Sequence, residues 1–164
     1  MEGAAEEQRV IYLVRHAHAG PKQTWSGPDS RRPLSIHGEQ EAAGLLIQLH
    51  QEPIARIVSS PALRCQQTVW PLARQRRLAV ELDRRLDVDA TAAQAAAMLL
   101  EPGVGNAVLC THGELIGQLL GRLRQAGSPI ATDATWPKGS TWVLDPSADQ
   151  ITRATYLPPL RRAH

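Results

Sequence analysis

Three short segments of this chain place cationic and nucleophilic side chains where an apolar run ends. The run Arg9–Val14 meets Arg15-His16, the run Ala55–Ser59 leads into Ser60-Pro61 with Arg64 one turn further on, and the run Asn106–Cys110 meets Thr111-His112-Gly113. Two arginines and two histidines suit a phosphoryl group. Guanidinium forks match phosphate oxygens, helix N-termini add oriented N–H donors, and a neutral imidazole offers a nucleophilic nitrogen. A lone Arg or His at a strand end is usually a surface or capping residue, so the weight lies in the three segments together, in an order one site can use.

Such groups meet only if the runs before them are neighbouring strands, because ligands in open α/β sheets bind beyond the carboxyl ends of strands. Arg9–Val14 is short, apolar and β-branched, as a buried strand should be. Arg15–Pro33 is rich in Gly, Pro, Ser and Asp and reads as a long loop, the kind that usually carries function. Ser35 is the expected cap of a helix in which Ala42, Leu45, Leu46 and Leu49 recur at helical spacing, with Pro53 beyond its end. Ala55–Ser59 is a second strand, and Ser60-Pro61 is expected to open the next helix as cap and first residue. Leu78–Leu82 reads as a third strand, Ala92–Leu100 as a helix and Asn106–Cys110 as a fourth strand. An amphipathic helix then carries Leu115, Ile116, Leu119, Leu120 and Leu123. Ser140–Leu144 and Gln150–Leu157 form an expected terminal hairpin. The alternation predicts an α/β, three-layer sandwich with a mainly parallel central sheet flanked by helices.

The totals are those of one globular domain: 164 residues, 43% apolar and 21% charged, with no run approaching a membrane span. Residues 1–8 read as a disordered N-terminal tail, 9–157 as the domain and 158–164 as a C-terminal tail. The acidic start has neither the basic nor the apolar region of a secretory signal, so a cytoplasmic location is expected. Cys65 and Cys110 lie in apolar segments and read as packing residues rather than a disulfide framework. A net charge of +2 with scattered arginines argues against a nucleic acid polymer as partner, and nothing points to a membrane. Monomer and homodimer stay equally open.

The three segments together resemble the histidine phosphatase superfamily, the phosphoglycerate-mutase-like fold. Its Arg-His-Gly signature is similar to Arg15-His16-Ala17, its Ser-Ser-Pro-x-x-Arg-x-x-x-Thr segment runs complete from Ser59 through Arg64 to Thr68, and its second histidine motif matches His112-Gly113. The resemblance spans roughly Val10 to Leu144. It implies a phosphohydrolase in which His16 carries the phosphoryl group and Arg15, Arg64 and His112 surround it, with no metal or organic cofactor. The implied substrates are phosphorylated small molecules or phosphoproteins. Arg31-Arg32-Pro33-Leu34 with Gly38 resembles a short branch that includes bacterial phosphohistidine phosphatases, and Lys138-Gly139-Ser140 before Trp142 resembles the phosphatase domain attached to some Nudix hydrolases.

The departures from the pattern matter as well. Ala17 stands where the signature has Gly, a small change if the backbone there avoids positive φ. Ala19 and Lys22 stand where many members carry Thr and Asn, so Lys22 is the expected substitute phosphate contact. Where many members place a Glu general acid, this chain has Val88, flanked by Asp87 and Asp89; Asp87, directly after Leu86, is the preferred proton donor, and both are equally at home in a turn. Three competing readings remain. A mutase is disfavoured by the short stretch between Glu81 and Asn106, which also predicts a pocket open to solvent on one side. A zinc hydrolase would use His16, His18, His112 and an Asp. A degenerate phospho-ligand-binding domain rests on Val88 and Ala17. Trp25 is expected to anchor its loop, with stacking on a nucleobase as the alternative.

Overall fold

The apolar runs form the strands, and the sheet they make sets everything else. The computed structural model describes residues 9–101, 103–147 and 149–161. The expected tail at 1–8 and the last three residues of the chain lie outside that range. In chain order the elements are β1 (Ile11–Arg15), α1 (Ile36–Leu49), β2 (Arg56–Ser59), α2 (Leu63–Arg76), β3 (Val80–Leu82), α3 (Ala92–Leu99), β4 (Ala107–Thr111), α4 (Gly113–Gln125), β5 (Thr141–Ser147) and β6 (Gln150–Leu157). They build one six-stranded sheet in the order β3-β2-β4-β1-β5-β6. The first four positions pair in parallel, and β5 and β6 add an antiparallel hairpin at the edge. The sheet is mainly parallel with helices on both faces, as the alternation of runs predicts.

Strand alternation sorts the core into two layers. Ile11, Leu13, Val58 and Leu109 point to one face, where Met98 and Leu99 of α3 and Leu115, Ile116 and Leu119 of α4 cover them. Tyr12, Val14, Ile57 and Val108 point to the other, under Leu45 and Leu49 of α1 and Val69 and Leu72 of α2. Strands buried on both faces need nearly continuous apolar sequence, which explains why β1 and β4 contain so little else.

Helix starts follow local chemistry. Ser35 Oγ accepts from the Gly38 N–H at 3.0 Å and caps α1. Thr91 and Gln94 cap α3 reciprocally in a capping box that the sequence reading did not identify. The expected entry at Ser60-Pro61 is corrected: α2 begins at Leu63, its cap residue is Ala62, and no side chain caps it. The reason is that Ser60 Oγ is engaged by the Ala62 N–H at 3.2 Å and by His112 at 2.9 Å, which holds 60–62 as a bend before the helix. The expected tail from Pro158 lies, over 158–161, along α1. The Pro158 carbonyl accepts from Gln48 Nε2 at 2.8 Å, and the Leu160 backbone passes so close to Gly44 that any Cβ there would clash with it. Among the described residues no helix is long and apolar enough to cross a membrane.

Candidate active site

Register brings the chemistry together. Arg15 of β1 lies opposite Thr111 of β4, and Ser59 of β2 opposite Cys110, so three adjacent strands end at one level. The ladder extends one residue beyond two of them: the His16 N–H donates to the Thr111 carbonyl at 3.0 Å, and the Ser60 N–H to the Cys110 carbonyl at 2.9 Å.

His16 is 7% exposed, and its Nδ1 lies 2.8 Å from the Ala17 carbonyl. A carbonyl only accepts, so Nδ1 holds the proton and the lone pair is on Nε2. Burial pushes the imidazole down to about 3; the Ala17 carbonyl opposes this, and the charges of Arg64, His112 and Arg15 add to it. His16 is therefore neutral at physiological pH. Ala17 is buried and its φ is not positive, so the lost signature glycine strains nothing. Its N–H donates to Thr68 Oγ1 at 2.9 Å, and that hydroxyl donates to the Arg64 carbonyl at 2.7 Å. Thr68, one turn after Arg64, thus ties the histidine loop to α2.

His112 precedes α4, 4% exposed, with its ring edge-on to His16 at a centroid distance of 5.5 Å. Arg64 Nη2, which only donates, lies 3.5 Å from His112 Nδ1, which leaves the proton on Nε2 to be donated to Ser60 Oγ. Arg64 is also 4% exposed, and its Nη1 and Nη2 donate to the carbonyl and carboxylate of Asp29 at 2.9 and 3.1 Å. Arg15 donates from Nη1 to the Trp136 carbonyl at 3.0 Å, and burial lowers its pKa. Its guanidinium lies against Gly113, where a Cβ would stand 2.6 Å from Cζ, so the glycine after His112 is what admits the arginine to the start of α4. The Nε–H groups of Arg15 and Arg64 are both buried without an acceptor among the described residues. Buried unpaired donors are costly, and an anion would satisfy them.

His16, His112, Arg15 and Arg64 are therefore gathered. The other expected residues stand further out. Asp87 ends a 3-10 turn, with Oδ1 accepting from the Val88 N–H at 2.8 Å, and lines an adjoining cleft of about 760 Å³ together with Trp25, Ser30, Arg31, Leu63 and Arg84. Asp89 is exposed and does not line it. Lys22 is exposed, and its side chain makes no hydrogen bond or ion pair with another described residue; its charge is felt by Asp29. The indole of Trp25, 36% exposed, donates to the Pro28 carbonyl at 2.8 Å and so both anchors its loop and faces the cleft. Both histidines are buried, and none of the four gathered residues lines this cleft. The His16–His18–His112 grouping is not assembled: the His18 ring bonds to Ser35 Oγ and packs on His37, and no group of three or more potential ligands forms among the described residues.

Sequence reasoning missed two neighbours. Asp29 lies in the long loop rich in Gly, Pro, Ser and Asp, where its residue type alone does not single it out. Cys65 reads as packing, yet its Sγ lies 3.7 Å from His112 Nε2. Burial opposes ionisation of that thiol, but Cys110, His112 and Arg64 outweigh it and bring it down to about 6. Its place one residue after Arg64 was the available signal.

Comparison with known proteins gives the following. Residues 11–89 match the model of the histidine phosphatase superfamily, branch 1. The 8-oxo-(d)GTP phosphatase of Mycolicibacterium smegmatis is 32% identical over 158 residues, covering 93% of this chain; the chain spans about half, 49%, of that relative's length. Two solved structures superpose closely. The protein histidine phosphatase SixA complexed with tungstate gives a TM-score of 0.69 at 21% identity, covering 93% of this chain and 96% of that one. A putative phosphohistidine phosphatase SixA from Agrobacterium tumefaciens gives 0.70 at 21% identity, covering 92% and 98%. At such identities the two structures speak for the fold.

Proposed function

The chain belongs to the histidine phosphatase superfamily, and from that premise we propose that it is a phosphohydrolase working through a phosphohistidine on His16. The observation that carries this reading is the His16 ring itself: neutral, with Nδ1–H fixed on the Ala17 carbonyl and the Nε2 lone pair free, beside two guanidinium groups that each keep a buried N–H unpaired. Nε2 attacks phosphorus as the bond from phosphorus to the leaving oxygen breaks, and the leaving group departs as an alcohol after taking a proton. Water then attacks the phosphohistidine, the N–P bond breaks, and orthophosphate leaves with His16 restored. Arg64, Arg15 and His112 stabilise the charge that spreads over the phosphoryl oxygens. Asp87 lines the cleft from which the leaving group would exit and is the proposed proton donor. The reaction needs no metal in this scheme.

His16→Ala should abolish hydrolysis of an aryl phosphate while leaving the fold intact by circular dichroism. Wild type quenched in mid-turnover should carry label that is lost in acid and kept in base. Wild-type rates in the variant, or acid-stable label, would rule the scheme out.

A nucleotide-derived phosphate is favoured among substrates by the composition of the cleft. Trp25 offers a ring face, and Arg31 and Arg84 make no ion pair with another described residue. The similarity to an 8-oxo-(d)GTP phosphatase points the same way. A preference in kcat/KM for a nucleoside diphosphate over an alkyl phosphate, lost in Trp25→Ala, is the expected result; equal rates in wild type would leave phosphohistidine proteins as the better candidate.

A further inference from the structure

Arg64 is held from behind by a residue of the long loop. Its end edge, formed by Nη1 and Nη2, is occupied by Asp29: Nη1 meets the backbone carbonyl at 2.9 Å and Nη2 meets Oδ2 at 3.1 Å. Its side edge, formed by Nε and the second hydrogen of Nη2, is where the unpaired Nε–H and the 3.5 Å approach to His112 Nδ1 are found. An arginine fork has only these two bidentate edges. Filling one fixes where the other points.

We propose that Asp29 is a positioning residue, which aims the side edge of Arg64 at the phosphoryl group; this rests on the phosphatase reading above. The carboxylate is itself fixed. Oδ1 accepts from Arg32 Nε at 3.0 Å, Arg32 Nη1 donates to the Gly20 carbonyl at 2.7 Å, and the Trp25 indole ties the adjoining Pro28 carbonyl. A chain of contacts thus runs from Gly20 through Arg32 and Asp29 to Arg64 and His112. Burial alone would raise the Asp29 pKa, but the Arg32 hydrogen bond and the charges of Arg64, Arg32 and Lys22 outweigh it and hold the carboxyl below its ordinary value. It is ionised at neutral pH. Asp29 is not a plug standing in for the phosphate, because among the described residues its carboxylate bonds to Arg64 and Arg32 and to neither histidine.

Aiming matters most when charge spreads in the transition state, so kcat should suffer more than KM. In the full chain, with an aryl phosphate as substrate, Asp29→Ala should lower kcat roughly 10- to 100-fold, the scale of a misplaced catalytic group. Asp29→Asn, which keeps an oxygen acceptor and the shape, should recover part of that loss. In an Arg64→Ala background, Asp29→Ala should have no further effect on kcat, because Asp29 acts only through Arg64. Additive losses in the double variant would overturn the proposal, as would faster turnover or tighter orthovanadate binding in Asp29→Ala, the signature of a plug. If wild type hydrolyses no aryl phosphate, the phosphatase reading fails, and orthovanadate binding followed by tryptophan fluorescence still decides the point. A Kd roughly tenfold weaker in Asp29→Ala supports the positioning role, and an unchanged Kd ends it.

Discussion

A neutral histidine among cations is the feature on which the site turns, and it has a pH signature. The unfolded imidazole takes up a proton near 6.5, whereas the folded His16 does so only near 3. Between those values the unfolded chain binds a proton that the folded one refuses. The stability contribution of His16 is therefore whole above 6.5 and declines as pH falls toward 3. In the proposed scheme the neutral imidazole stays nucleophilic over the same interval. After correction for ionisation of the substrate, kcat/KM should show no acid limb near 6.5; a limb there that disappears in no other histidine variant would mean that His16 titrates normally and is not desolvated. Arg15, His16, Arg64 and His112 were legible in the sequence because Arg15 ends β1, His16 and His112 directly follow β1 and β4, and Arg64 opens the helix after β2. Asp29 and Cys65 were not. An aspartate between Pro28 and Ser30 has an ordinary role as a turn former, and a cysteine on a helix face has an ordinary role in the core, so only their partners reveal more.

Elements position these groups through close approaches that sequence patterns hide. Gly113 begins α4 directly beneath the Arg15 guanidinium. Gly113→Ala would normally favour a helix; here the added Cβ would meet the guanidinium carbon at 2.6 Å, and the flexible arginine must yield. The expected result is a protein that melts near the wild-type temperature but has lost at least roughly tenfold in kcat/KM, the scale of displacing one phosphate ligand. Unchanged kinetics would show that Arg15 need not lie on the start of α4. The strands and helices were legible because buried strands and amphipathic helices have strong periodicities. The start of α2 was not, since Ser60 has two possible uses, and the tertiary one, bonding His112 across 52 residues, prevails over the local cap.

At the scale of the whole molecule, charge governs access and topology governs assembly. In the proposed scheme substrate enters past Arg31 and Arg84, which line the cleft beside Asp87, with Lys22 exposed in the same loop as Arg31. Raising ionic strength from about 0.05 to 0.5 M shrinks the screening length severalfold, so KM should rise while kcat holds. A salt-independent KM would mean that these cations do not guide the substrate. The sheet order has a consequence of another kind. β1 lies beside β4, Ile11 against Ala107, and β4 is also the strand that joins β1 to β2. No early portion of the chain can close the centre of the sheet, because the strand that completes it arrives about a hundred residues after the first. Long loop closure of this kind is slow and is achieved late. Since His16, Ser60 and His112 each sit one step past one of those three strands, partly folded states lacking β4 have no site to offer. During refolding from urea, hydrolytic activity and amide protection of Leu13 and Leu109 should return with a single shared rate constant, and activity that precedes protection of β4 would refute that order of events.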